Sequence, residues 1–202
     1  NPNDRSARQG PSLRNRAITD VFEPGSTMKP FIVATALEQR QLDADSQIDT
    51  RGWVTLGERR IQDHTELGQI SLTTLLGRSS NEGAARIALS LDKTTLWQQL
   101  DQIGFGRSLN TGFPAEANGY LPHDSQWSRI DQASLAFGYG LSMTTLQLAQ
   151  AYATLGNDGI RLPVSLLQQT KPVSGERVLS ADTARTVRHL LRQVVSSTGT
   201  AP

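Results

Sequence analysis

Pro30 stands at the head of the run Phe31-Ile32-Val33-Ala34-Thr35-Ala36-Leu37, which reads as a buried helix, and this pairing constrains the chain more than any other feature. Proline lacks an N–H and breaks a helix interior, so Pro30 has to lie in the first turn. The helix N-terminus then falls at Gly25-Ser26, where backbone N–H groups lack intrahelical partners and the dipole favours developing negative charge. A residue before proline disfavours the α region, which predicts a slight distortion at Lys29.

Lys29 is also chemically out of place. The chain has 17 Arg and 3 Lys, so surface charge is carried by arginine, and a lysine three residues after Ser26 at a helix start asks for a reason. A guanidinium stays protonated in proteins, whereas an ammonium moved out of water can lose its proton and act as a base. One helical turn brings Lys29 Nζ to Ser26 Oγ and activates it as a nucleophile, and the Ser26 N–H can serve as half of an oxyanion hole. Random placement of the 18 Ser and 3 Lys in 202 residues predicts about 0.27 Ser-x-x-Lys matches, and the chain has two. The second, Ser90 to Lys93, ends a helical run without a Gly-Ser elbow and reads as surface. Taken alone, Ser26 and Lys29 also fit a helix cap followed by a solvated lysine.

In Arg78-Ser79-Ser80-Asn81-Glu82-Gly83, Ser79 and Asn81 form a Ser-x-Asn triplet 53 residues after Ser26. A short loop of this kind can aim a hydroxyl and a carboxamide into one cleft. The hydroxyl can relay a proton between Lys29 and a leaving amine, and the Asn can hold a substrate amide by donor and acceptor together. The loop also reads as the N-cap of a helix from Glu82 to Leu91, a role compatible with catalysis. Ser108-Leu109-Asn110 repeats the spacing without such context. Phe137 and Tyr139, in Phe137-Gly138-Tyr139-Gly140, fit either a cleft wall or a core turn; Phe137 is the better core member and Tyr139 the better wall.

Phe22 to Pro30, Arg14-Asn15-Arg16-Ala17-Ile18-Thr19-Asp20, Ser79 to Gly83 and Phe137-Gly138-Tyr139-Gly140-Leu141 together resemble the transpeptidase domain of class B penicillin-binding proteins. More narrowly, they are similar to the cell-division (septal) peptidoglycan transpeptidases of Gram-negative bacteria, since the elongation-type relatives carry Ser-Ala-Asp or a similar triplet in place of Ser-Ser-Asn. The resemblance spans essentially the whole chain. It implies an α/β (α+β) penicillin-binding transpeptidase or serine β-lactamase-like fold, here mostly its helical part with a few strands. It makes Ser26 the acylated nucleophile, Lys29 its base, and Ser79 and Asn81 the second motif; Ser80, Tyr139 and Phe137 stand beside these as candidate substrate contacts. The Ser-x-x-Lys, Ser-Asp-Asn and Lys-Thr-Gly set belongs to this superfamily, in which the identity of the acylating base is disputed.

The family's third motif, Lys-Ser/Thr-Gly on a strand, supplies a cation for the substrate carboxylate and the other oxyanion N–H. Ser197-Thr198-Gly199 imitates it, but Ser197 stands where the lysine belongs and Ala181 to Val195 reads as a helix. The expectation is a loop here, with residues 1–202 a partial transpeptidase domain and the true motif and its strands beyond Pro202. The resemblance likewise places a membrane anchor and a pedestal domain before Asn1, holding the enzyme at the periplasmic face of the inner membrane. Within the chain itself no leader or long apolar span is visible.

Composition excludes several other classes. Net charge +1 without long basic runs argues against a nucleic-acid surface. The absence of cysteine removes disulfides and thiolate metal sites, and His64, His123 and His189 lack ligand spacing, so neither metal nor cofactor is expected. The local pattern predicts a loop over residues 1 to 11 and an extended approach through Leu13, Ile18, Val21 and Phe22. A hairpin joins Trp53–Leu56 to Arg59–Gln62 across Gly57-Glu58 and covers one side of the site. Helices run from Ser71 to Leu76, from Thr94 to Gly104, from Thr144 to Leu155 and from Ser180 onward, with strands at Arg161–Thr170 and Arg177–Leu179.

The expected function is a serine acyltransferase that cross-links peptidoglycan stem peptides, is acylated by β-lactams and works with division-machinery membrane proteins. A serine β-lactamase, with Glu116 as the base for a deacylating water, and a non-enzymatic penicillin-sensing or scaffold domain are the alternatives.

Overall fold

The structure, a computed structural model, describes residues 14–197 and 199–201. The architecture is a mostly helical α/β arrangement built around one helix. A 3-10 turn over Gly25–Met28 runs directly into α2, Lys29–Glu38, with Pro30 in the first turn as its missing N–H requires. Lys29 has φ −53° and ψ −41°, so the distortion expected ahead of proline is absent. Met28, Phe31, Ile32, Val33, Ala34 and Ala36 are all fully buried. A helix apolar on every side belongs in the middle of a core, and α2 is there. Phe31 meets Phe105 and Tyr152 edge to face, both at centroid distances of 5.1 Å.

Around α2 stand α3 (Leu72–Gly77), α4 (Asn81–Ser90), α5 (Lys93–Ile103) and α8 (Ala181–Leu191), with α7 (Thr145–Gly156) against α8 and α6 (Arg129–Leu135) against α4. Side-chain caps set most of these starts. Ser71 accepts from Thr74 N, Ser180 from Thr183 N, and Thr144 with Gln147 forms a reciprocal capping box. α5 begins one residue before Thr94, capped by Asp92, and stops at Gly104 in the left-handed region. The last helix gives way at Arg192–Val195 to a 3-10 turn. Ser197 and Gly199 follow in a turn rather than a strand, while Thr198 lies outside the described residues.

Strands are short and pair in antiparallel twos. The expected hairpin is present as β2 (Val54–Leu56) and β3 (Arg59–Ile61), with Leu56 opposite Arg59. A pair not foreseen joins β1 (Gln47–Thr50) to β4 (Gly68–Ser71). The strands expected at Arg161–Thr170 and Arg177–Leu179 shrink to β5 (Ile160–Arg161) and β6 (Glu176–Arg177). Pro163 cannot donate to a ladder, and the N–H groups of Val178 and Leu179 turn to Gly159 O instead. The approach to the elbow is extended only in part: α1 (Arg16–Thr19) interrupts it, and Phe22 then pairs with Met143. Residues 1 to 11 and Leu13 lie outside the described residues.

Candidate active site

Burial separates the two members of the first motif. Ser26 is exposed on the 3-10 turn, and Lys29, one turn on, is 1% exposed. The Lys29 Nζ lies 3.0 Å from Ser26 Oγ, 2.9 Å from Ser79 Oγ, 2.5 Å from the Ser79 carbonyl and 2.7 Å from Asn81 Oδ1. An ammonium has three protons for these four acceptors, so one contact is always second best. A neutral amine donates twice and accepts once, so in that form Nζ has a lone pair that can take the proton of Ser26 Oγ–H. Desolvation lowers the Lys29 pKa to about 8, opposed by the negative charge of Asp63.

The second motif owes its aim to backbone geometry. Ser79 takes φ +55°, a left-handed value uncommon away from glycine, and both its carbonyl and its hydroxyl reach Lys29. Asn81 opens α4 and turns its carboxamide oxygen to the lysine, leaving the NH₂ to donate elsewhere.

Ser80, expected among the substrate contacts, faces inward instead. It is 1% exposed, accepts from Gly83 N at 2.9 Å as the cap of α4, and donates to Asp63 Oδ2 at 2.5 Å. Its hydroxyl is committed inside the protein. Asp63 itself escaped sequence reasoning. Its Oδ1 accepts from Asn81 N at 2.6 Å and Glu82 N at 3.1 Å, so one carboxylate collects three donors at the mouth of α4. Nothing in the spacing of Gln62-Asp63-His64 signals this; the hairpin that ends just before Asp63 is the local clue.

The glycine-flanked aromatics border the elbow. Gly25 N donates to Gly138 O at 3.3 Å, and Gly140 N donates to Glu23 Oε1 at 3.0 Å. Phe137 is half-buried against the core and Tyr139 is 55% exposed, with their rings 5.8 Å apart. Gly138 has φ +84°, and a Cβ there would overlap the backbone of Gly25; Gly140 has φ +79° with open space around it. Gly138→Ala should therefore displace the elbow and lower the melting temperature clearly more than Gly140→Ala, which costs only about 1 kcal/mol of backbone strain. Equal shifts of the two variants in thermal melts would mean that the close approach is unimportant.

The lookalike motifs are accounted for elsewhere. Ser90 Oγ donates to Ile87 O at 2.7 Å at the end of α4, and Lys93 is exposed. Glu116 accepts from Ser108 Oγ, Asn110 N, Thr111 N and Thr111 Oγ1 at 2.5–2.9 Å. Burial pushes its carboxyl up, but these hydrogen bonds outweigh it and hold the pKa below the usual glutamate value. A carboxylate so occupied organises its own loop and is poorly placed to activate water.

Such an arrangement, with an exposed serine over a buried lysine and a Ser-x-Asn loop closing on the lysine, has the parts that serine acyl transfer requires. The chain belongs to the penicillin-binding protein transpeptidase domain family, which it matches over residues 1–202. It is 40% identical over 194 residues to peptidoglycan D,D-transpeptidase FtsI of Escherichia coli K12, covering 96% of this chain and 33% of that protein. To the probable peptidoglycan D,D-transpeptidase PbpC of Pseudomonas aeruginosa it is 39% identical over 196 residues, 96% of this chain and 35% of the other. Among solved structures, the TP domain of penicillin-binding protein 3 from Burkholderia pseudomallei superposes with a TM-score of 0.89 at 40% identity, covering 94% of this chain and 58% of that one. The chain spans about a third of the length of these two curated relatives. Its fold is the penicillin-binding transpeptidase fold. Among the described residues no helix is long and apolar enough to cross a membrane.

Proposed function

We propose that this chain carries the acyl-transfer centre of a septal peptidoglycan D,D-transpeptidase, acting at the periplasmic face of the inner membrane with division-machinery partners. The observation that carries the reading is the buried Lys29 amine, with its pKa near 8, in contact with Ser26, Ser79 and Asn81 at once. Neutral Lys29 takes the Ser26 proton as Oγ bonds to the carbonyl carbon of the penultimate D-Ala. The oxyanion develops at the helix start, where the Ser26 N–H can donate to it. The C–N bond then breaks, and the Ser79 hydroxyl passes the Lys29 proton to the departing D-Ala amine. An amine from a neighbouring stem attacks the acyl-enzyme by the reverse proton path. Asn81, with its NH₂ group, holds a backbone carbonyl of the stem, and Tyr139, with Phe137 behind it, forms the wall beside the elbow. A β-lactam enters the same path, and its acyl-enzyme persists because the ring nitrogen stays tethered.

The engaged state of Glu116 favours a transferase over a β-lactamase, which needs a free base for deacylation. The test is to incubate the purified protein with a labelled penicillin and follow the mass of the adduct and its lifetime. One equivalent of long-lived adduct, together with D-Ala release from a pentapeptide stem, is the expected result. Rapid turnover of the drug would move the reading to β-lactamase, and no adduct at all would move it to a non-enzymatic domain.

A further inference from the structure

Asp63 leaves the β2–β3 hairpin and meets the second motif from outside, 17 to 19 residues upstream of the groups it binds. We infer that Asp63 is a positioning residue of the acylation machinery, locking the loop that presents Ser79 and Asn81 to Lys29 by accepting from Ser80 Oγ, Asn81 N and Glu82 N. The inference rests on the proposed acyl-transfer function and assigns Asp63 no contact with substrate. Both of its oxygens are engaged, one by two backbone N–H groups and the other by the Ser80 hydroxyl. Those donors adjoin the residues that hold the lysine, because Ser79 precedes Ser80 and Asn81 supplies its own N–H. The left-handed φ of Ser79 needs support of this kind, since a serine there is unfavourable in isolation.

Charge adds a second consequence. Ser26, Ser79 and Asn81 touch Lys29 from the 3-10 turn, the loop before α4 and the first residue of α4, and all three are uncharged. Asp63 is the charged neighbour whose field favours the ammonium form of Lys29. Glu82, the next acid along α4, is tied to Arg86 at 2.7 Å, while Arg78 and His64 line the same cavity as Ser79 and Asn81. Removing the Asp63 charge therefore makes Lys29 easier to deprotonate while loosening the loop that holds it.

The experiment is the pH profile of benzylpenicillin acylation, followed by intact mass, for Asp63→Asn and Asp63→Glu. Asp63→Asn is expected to lower the plateau rate about tenfold, the scale of one charge-assisted hydrogen bond, and to move the profile's midpoint to lower pH. Asp63→Glu keeps the charge but misplaces it, so its midpoint should stay at the wild-type value while the plateau falls. A pure folding role would lower rates without moving any midpoint, and that outcome overturns the inference. An Asp63→Asn profile identical to wild type also overturns it. If Asp63→Asn does not fold, Asp63→Ser gives the same readout. Failure here is distinguishable from failure of the acyl-transfer reading, because the latter would leave the wild-type protein without adduct.

Discussion

The Ser26→Ala protein should take up no fluorescent penicillin, while Ser90→Ala labels like wild type. Both serines have a lysine three residues on, so pattern alone does not separate them. Geometry does. Ser26 Oγ is 3.0 Å from a buried amine and open to solvent on its other side, whereas Ser90 Oγ donates to Ile87 O and the Lys93 side chain stands in water. Without Oγ no ester can form, and loss of a nucleophile of this kind typically costs on the order of 10⁶ in rate. Because Ser26 is exposed, its removal should leave the stability nearly unchanged, within about 0.5 kcal/mol. Equal labelling of the two variants on a gel, or an adduct mapped by peptide mass to any other serine, would refute the assignment of the nucleophile.

Local signals carried much of the fold. Pro30 ahead of an apolar run located α2, and Ser71, Thr144 and Ser180 marked helix starts, because a cap is made by residues three apart in the chain. The hairpin was legible for the same reason: Gly57-Glu58 joins strands whose partners are adjacent in sequence. Pairing of β1 with β4 was not, since Ile48 and Ile70 meet across 22 residues and each strand has a single apolar residue to show. The long strand expected over Arg161–Thr170 is cut short, because Pro163 stops the ladder and Leu166 and Leu167 are exposed.

The site divides along the same line. Ser26 and Lys29 are one helical turn apart, and their meeting follows from helix geometry. Ser79 and Ser80 are neighbours with similar propensities, and only the left-handed turn at Ser79 decides that one hydroxyl faces the lysine and the other faces Asp63. Asp63 reaches the loop through the exit angle of a hairpin, a tertiary relation with no sequence period. A carboxylate that satisfies three donors in this way does its work without touching the reacting atoms, so its residue type alone does not announce it.

The Lys29→Arg protein is expected to acylate at least about 10² more slowly than wild type at every pH, the usual cost of losing a general base. Arginine keeps the charge and nearly the length, so a merely electrostatic or packing role for Lys29 would survive the change. Chemistry would not, because a guanidinium has no accessible neutral form and no lone pair to receive the Ser26 proton. With its pKa near 8, about a tenth of Lys29 is neutral at pH 7, against roughly three in ten thousand for a lysine at 10.5. The wild-type acylation rate should thus climb almost tenfold per pH unit through pH 7 and level above about pH 8, while the Arg variant stays low and flat. Stability gives an independent check. The native pKa lies below the unfolded value of 10.5, so between about pH 8 and pH 10.5 the unfolded chain holds the proton that the native state has released. Stability of the wild type should accordingly rise across that window relative to the Arg variant, which lacks this titration. Stopped-flow acylation and thermal melts from pH 6 to pH 10.5 measure both effects, and an Arg variant within a few-fold of wild type would show that Lys29 only neutralises or packs and that another group accepts the proton.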